Sequence, residues 1–111
     1  MRDYTIYKKI DHIIATRNEY LRTRNKTFEQ FRFIGMFNYC TNLMKEEYLF
    51  ILKNSYFNVT YRFWWLDYYC QSSYYRKRFT AVSSFVSLFE MIYENFTDNP
   101  VYLDFVTKKN F

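Results

Sequence analysis

The chain has 111 residues and a formal charge of +5, and half of its residues are hydrophobic. This length is typical of one domain, and the apolar side chains suffice for a core, which excludes a disordered tail. Glycine and proline occur once each, so hairpins, sandwiches and phosphate-binding loops lack their usual turn residues. The composition therefore predicts a single all-α domain over residues 1–111, built as a small bundle of about five helices.

The charge and the cysteines indicate a compartment and a class of partner. Basic residues outnumber acidic residues by 16 to 11, which favours an anionic partner. No basic-then-apolar leader precedes Cys40 and Cys70, so we expect a cytoplasmic protein with reduced thiols. The longest uncharged run, residues 33–44, has 12 residues, fewer than the roughly 20 that a membrane helix needs. We therefore expect no membrane partner.

Amino acids with A- and T-rich codons are unusually frequent. Phe, Tyr, Asn, Ile and Lys account for 50 of the 111 residues, whereas Gly, Ala and Pro together supply 4. This skew is typical of the genome of a low-GC bacterium, such as a mollicute, or of one of its phages. Part of the aromatic content therefore reflects codon usage and does not by itself indicate binding through aromatic rings.

The first predicted helix covers about residues 4–22, with Asp3 as its cap. Its apolar residues recur at helical spacing and form one predicted buried stripe: Ile6, Ile10, Ile13, Ile14 and Leu21. The only histidine, His12, is expected to be structural or exposed. A basic connection follows the helix, and it supplies three candidate phosphate contacts: Arg22, Arg24 and Lys26.

The second predicted helix begins after Thr27, because Gln30 three positions on completes the spacing of a capping box. Its apolar positions are Phe28, Phe31, Ile34 and Phe37. Thr41 or Asn42 is expected to begin a third helix, which ends near Ser55.

The helical pattern breaks over residues 56–60, where a short strand pairing is the most sheet that we expect. Thr60 is then predicted to cap a short fourth helix of about two turns that contains Trp64 and Trp65. Consecutive helical residues point about 100° apart, so one Trp ring is expected to be buried and the other exposed.

The last predicted helix begins after Cys70 and ends near Asn95, and it carries two adjacent apolar stripes. This surplus of apolar surface favours a homodimer. Residues 97–100 are expected to stop the helix, and residues 101–111 to form a short tail.

Residues 43–95 have the organisation of a helix-turn-helix, in which a short helix and a tight turn precede a recognition helix. Arg and Gln side chains can read base edges, small side chains allow close approach, and helix N-terminal amides favour phosphate. No acidic residue lies between Asp67 and Glu90. The candidate DNA-binding residues open the last helix: Gln71, Ser72, Ser73, Arg76, Lys77 and Arg78.

The string Cys70-Gln-Ser-Ser-Tyr-Tyr-Arg-Lys-Arg-Phe-Thr-Ala81 resembles the start of the recognition helix in region four of sigma factors and in the phage autolysin-regulator family. Upstream, Lys45-Glu-Glu-Tyr-Leu-Phe-Ile-Leu resembles the helix that scaffolds this motif, so the resemblance covers about residues 43–92. The chain departs from the pattern in the turn, residues 68–70, which lacks the usual Gly or Asn. The resemblance implies a transcription regulator that binds double-stranded DNA, with RNA polymerase as a further partner.

The main alternative is a helical protein–protein interaction module that binds RNA polymerase or a second copy of itself without contacting DNA. Salt-dependent binding to duplex DNA distinguishes the two hypotheses. An enzyme is not expected, because the chain has one His, no Cys-x-x-Cys, no Gly-rich loop and no nucleophile beside a base. No metal and no cofactor are expected either.

Overall fold

The computed structural model describes residues 5–59 and 61–95. Its α-helices are α1 (Thr5–Arg22), α2 (Phe28–Leu43), α3 (Glu46–Leu52) and α4 (Gln71–Asn95). A π-helix (Lys53–Phe57) follows α3, and a 3-10 helix (Trp64–Asp67) precedes α4. The described residues contain no strand, so the all-α class is confirmed, whereas the predicted short fourth helix is a 3-10 helix of four residues.

Every helix in the described part of the chain is too short or too polar to cross a membrane. The predictions for Asp3, Thr60 and residues 97–111 fall outside the described residues.

The first two helices form largely as the sequence predicts. The Thr27 side chain accepts a hydrogen bond from the Gln30 amide at 3.2 Å, and the Gln30 side chain accepts one from the Thr27 amide at 2.9 Å. This capping box satisfies two backbone donors that the helix itself cannot. Leu21 and Phe28 are 50% and 57% exposed, so neither belongs to the buried stripe of its helix.

The boundary between α2 and α3 differs from the prediction. Thr41 and Asn42 do not begin a third helix, because α2 continues through them to Leu43. The Thr41 hydroxyl donates to the backbone carbonyl of Asn38 at 2.8 Å, a bond made inside a helix rather than at its start. Cys40 is fully buried, so continuing α2 past this residue completes its core face. Glu46 and Glu47 then open α3, where negative charge is favourable.

The π-helix widens the backbone at the end of α3. The Asn58 amide donates to the Lys53 carbonyl, five residues earlier, at 2.8 Å. The wider turn places the Phe57 ring 5.0 Å from the Phe37 ring of α2. Such turns are rare and occur frequently at functional sites.

The long helix α4 agrees with the predicted last helix and is the centre of the fold. It packs against α1, α2 and α3, and the Phe37 and Phe57 rings both meet Phe85 of α4, at 5.2 and 5.7 Å. Its buried residues are Tyr74, Ala81, Val82, Phe85, Val86, Phe89 and Ile92. Other helices of the same chain therefore pack on both apolar stripes. The apolar surface of α4 that favoured a homodimer is explained by packing within one chain.

Trp64 and Trp65 are both buried, at 8% and 6% exposure, so the expectation that one would be exposed is wrong. The Trp65 ring stacks on the Tyr74 ring at 4.7 Å with an interplanar angle of 4°. The Trp64 ring meets the same Tyr74 ring edge-on at 5.7 Å and the Phe50 ring at 5.3 Å. The tight 3-10 helix lets the two indoles contact one buried tyrosine from different directions, which a single stripe of an α-helix does not allow.

Candidate nucleic-acid interface

The first turn of α4 is exposed and polar. Gln71, Ser72 and Arg76 are exposed and Ser73 is half-buried. Ser72 and Arg76, four residues apart, share one face of the helix. Arg76 forms no ion pair with another described residue. The helix starts with the Tyr74 amide donating to the Cys70 carbonyl at 2.9 Å, which leaves the preceding amides without helical acceptors.

The start of α4 stabilises negative charge. Cys70 is fully exposed, and its thiol pKa is lowered first by a hydrogen bond from the Ser73 backbone, then by one from the Ser72 side chain. The Cys70 Sγ and Ser72 Oγ atoms are 3.7 Å apart, and the positive charge of Arg76 acts in the same direction on the pKa. The same groups favour an external anion such as a phosphate.

Lys77 is engaged within the chain. Its Nζ donates to Glu47 Oε1 of α3 at 2.7 Å, and this hydrogen bond and the Glu47 charge raise the pKa of Lys77. The same Nζ lies 6.0 Å from the centre of the Tyr69 ring. Lys77 therefore links α3 to α4, and contacting DNA would require it to leave Glu47.

Arg78 is turned away from the exposed face on which the sequence analysis placed it. Its guanidinium lies over the rings of Tyr7, Tyr75 and Tyr74, at 5.0, 5.1 and 5.8 Å. Its Nε is buried and has no hydrogen-bond partner among the described residues. Burial lowers the pKa of Arg78, but the neighbouring Tyr56, Tyr74 and Tyr7 raise it by more. The sequence signal for this inward position is spacing, because Arg78 follows the buried Tyr74 by four residues.

The basic connection after α1 lies at the other end of α4. The Tyr20 ring meets Phe33 at 5.4 Å, and Phe33 meets Phe89 of α4 at 5.1 Å. Phe89 follows Arg76 by 13 residues, about 20 Å along a helix. The structure therefore does not bring the three candidate phosphate contacts of the connection to the start of α4: Arg22, Arg24 and Lys26.

A group of exposed apolar side chains, not foreseen from the sequence, lies on or beside the 3-10 helix. We call it the exposed apolar group, and its members are Phe50, Phe63, Leu66 and Tyr68, which are 38–62% exposed. Two of them, Phe50 and Tyr68, are in ring contact at 5.3 Å. The exposed apolar group surrounds the buried indoles of Trp64 and Trp65. The 3-10 helix and its neighbours therefore have one apolar side in the core and another at the surface.

A pocket of about 580 Å³, also not foreseen from the sequence, lies between α1, α2 and the π-helix. Its half-buried Arg17 guanidinium lies 4.5 Å from the centre of the Phe37 ring and 5.6 Å from that of Phe57. Arg17 donates to Asn18 Oδ1 from two nitrogens, at 3.2 and 2.8 Å. Burial lowers the pKa of Arg17. The signal was again spacing, because Arg17 follows the buried Ile13 by four residues.

A further groove lies between α1 and the end of α4 and measures about 690 Å³. The exposed His12 lines it together with Lys9, which pairs with Glu90 at 3.0 Å. Within the described residues, no three side chains of His, Cys, Asp or Glu are grouped to bind a metal ion.

No protein-family model, no curated protein and no solved structure matches this chain.

Proposed function

We propose that this protein binds double-stranded DNA through the first turn of α4 and acts in transcription regulation. One observation carries the proposal: the longest helix begins with an exposed polar turn that bears an unpaired arginine, Arg76, and no acidic residue before Glu90. A helix of this kind fits the major groove, where its N-terminal residues reach base edges.

The segment before α4 supports this interpretation. The amides of Tyr68 and Tyr69 both donate to the Trp65 carbonyl at 2.9 Å, which closes a tight turn three residues before α4. Stacking of Trp65 on Tyr74 fixes this turn against the helix. We interpret the order of 3-10 helix, turn and long helix as a helix-turn-helix whose first element is shortened.

The side chains divide the work of binding. We assign base-edge contacts to Gln71 and Arg76, and phosphate contacts to Ser72, Ser73 and the amides of the first turn. Lys77 contributes little attraction while Glu47 compensates its charge. Arg78, held among tyrosines, stabilises the helix that carries these groups.

The test is a titration of a random-sequence duplex pool, followed by selected duplexes, at two salt concentrations. The parent should bind more weakly at the higher salt concentration, because binding releases counterions from the DNA. Arg76→Ala should cost about 1–3 kcal/mol of binding free energy on a selected site.

Two further variants sharpen the titration. Glu47→Gln releases Lys77 from its ion pair and should tighten binding to every duplex. Arg24→Ala removes one positive charge at the other end of α4 and is the matched control, with a much smaller expected effect than Arg76→Ala. Equal affinities of the parent and Arg76→Ala would contradict the proposal.

A second candidate function, protein docking, is favoured by the exposed apolar group. We propose RNA polymerase or a second copy of the chain as the partner on this side. Apolar association depends weakly on salt, so sedimentation at two salt concentrations separates it from DNA binding. Leu66→Ser should abolish self-association and leave the DNA titration unchanged if a second copy is the partner.

A further inference from the structure

We propose that the pocket between α1, α2 and the π-helix binds a dianionic phosphate group carried by a small molecule. The pocket measures about 580 Å³ and is lined by residues of α1 and α2, by residues of the π-helix and by Asn58. No residue of α4 lines it, so it is separate from the proposed DNA-binding turn.

The charges in the pocket carry the inference. Two cations, Arg17 and Lys53, line it, and none of the described lining residues is Asp or Glu. The ring contacts and hydrogen bonds of Arg17 within the described part of the chain are all with neutral groups, namely two phenylalanine rings and the Asn18 amide. Lys53 has no ion pair or side-chain hydrogen bond among the described residues. A half-buried guanidinium without a counterion is unfavourable, and an anion in the pocket relieves it.

The number of charges selects the class of anion. A carboxylate neutralises one of the two cations, whereas a phosphate dianion neutralises both. The guanidinium of Arg17 offers a planar fork that matches phosphate oxygens, and the ammonium of Lys53 acts as a point charge.

Neutral donors complete the site. The side-chain amides of Asn38 and Asn58 line the pocket and make no hydrogen bond to another described residue. The π-helix places Lys53 and Asn58 at one edge, because the Asn58 amide bonds the Lys53 carbonyl five residues back. An α-helical continuation of α3 would not align these two residues in this way, so the rare turn has a role in the site.

The size of the pocket indicates that the phosphate carries an organic group. Pockets for small organic ligands commonly measure about 300–1,000 Å³, and the volume of this pocket lies in that range. A free phosphate ion does not fill a pocket of this size. The Phe57 ring lines the pocket and offers an apolar surface to the organic part. The two sources of the phosphate group, a phosphomonoester and the free ion, are separated experimentally.

The experiment is a titration of the full ¹⁵N-labelled chain, followed by NMR, with phenyl phosphate, inorganic phosphate and benzoate as probes. The Nε–H signal of Arg17 and the side-chain amide signals of Asn38 and Asn58 should shift and saturate with phenyl phosphate. Benzoate, a monoanion of similar shape, should bind at least about tenfold more weakly. Saturation at the same concentration of inorganic phosphate would identify the free ion as the ligand.

Two matched variants test the site. Lys53→Met removes an exposed charge without affecting the core and should weaken phenyl phosphate binding at least about tenfold. Lys45→Met removes the same charge from an exposed residue outside the pocket and should leave binding unchanged. Arg17→Lys keeps the charge but loses the planar fork, and should also weaken binding.

Two results would overturn the proposal. One is the absence of saturable shifts at the three reporter side chains with either phosphate probe. The other is an equal loss of affinity in Lys53→Met and Lys45→Met, which would show attraction to net charge alone. Neither result depends on whether α4 binds DNA.

Discussion

Arg17 and Arg78 occupy equivalent places in two regions of the molecule and have opposite surroundings. Each follows a buried residue of a long helix by four positions, and each guanidinium is half-buried over aromatic rings. The rings around Arg78 are tyrosines, whereas those around Arg17 are phenylalanines. Burial lowers the pKa of Arg17, while the pKa of Arg78 is raised because its tyrosine neighbours outweigh burial.

The difference lies in the groups that surround each guanidinium. Tyrosine supplies a ring face and a hydroxyl, so the region of Arg78 offers the cation both a π-face and oxygen atoms. Phenylalanine supplies the ring face alone. Each arginine lines a pocket, which measures about 580 Å³ at Arg17 and about 300 Å³ at Arg78. The first region stabilises the fold, and the second is suited to bind an anion.

The largest expected effect on stability comes from truncating the buried Trp side chains that pack beside the tyrosines of the Arg78 region. Trp65→Ala should lower the free energy of unfolding by about 3–5 kcal/mol, because the indole is buried and stacks on Tyr74. Trp64→Ala should cost a similar amount. Urea denaturation measures both, and Leu66→Ala, at 58% exposure, is the neighbouring control with an expected change below about 0.5 kcal/mol. Parent-like stability of either Trp variant would contradict its place in the core.

Exchanging each arginine for methionine tests the comparison directly. Arg78→Met should cost about 1–2 kcal/mol, because it removes a cation from three tyrosine rings. Arg17→Met should cost less in phosphate-free buffer, about 0.5–1 kcal/mol, because it removes a cation from two phenylalanine rings and also removes a half-buried charge without a counterion. Urea denaturation of both variants at pH 7 measures the difference. Equal costs would mean that the two regions do not differ in charge compensation.

The pH dependence of stability reports on the tyrosines of the Arg78 region. Burial raises the pKa of Tyr56 from 10.0 to about 12, with Arg78 acting in the opposite direction. The stability that the neutral hydroxyl contributes is complete below pH 10 and is lost as the pH rises through 12. Tyr56→Phe should therefore lose less stability than the parent over this interval, as measured by urea denaturation at successive pH values. Tyr61→Phe changes an exposed ring and should follow the parent.

Modification of the cysteines is expected to have the smallest effect on the fold. It compares a buried thiol in α2 with an exposed thiol at the start of α4. Cys40 in α2 is buried and its pKa is raised to about 12 by burial, whereas Cys70 is exposed and its pKa is lowered by the hydrogen bonds at the start of α4. Iodoacetamide at neutral pH should alkylate Cys70 and leave Cys40 unmodified in the folded chain. Mass spectrometry of the Cys70→Ser and Cys40→Ser variants measures each rate separately. Comparable rates would indicate that α2 opens readily.

Local signals predicted much of the fold. The spacing of Thr27 and Gln30 gave the start of α2, because a capping box involves neighbouring residues alone. The small polar residues after Cys70 and the long apolar pattern gave α4 its bounds. Of the candidate DNA-binding residues, the exposed positions of Gln71, Ser72 and Arg76 follow from the same pattern.

Other features depended on residues far apart in the chain. The sequence placed one indole of the Trp64–Trp65 pair at the surface, and both are buried because a single tyrosine, Tyr74, contacts both rings. The sequence predicted that Arg76, Lys77 and Arg78 form one basic surface. In the structure Lys77 pairs with Glu47 and Arg78 turns inward.

The amino-acid sequence by itself determined the helical class, the caps and the periodic faces, because these depend on interactions within a few turns of chain. Only the tertiary structure decided what each face meets. The cations on the buried stripes of α1 and α4, Arg17 and Arg78, look alike in sequence, and their surroundings come from helices distant in the chain. Because the free energy of a buried charge depends on those distant groups, the pocket beside the π-helix became visible only in the folded protein.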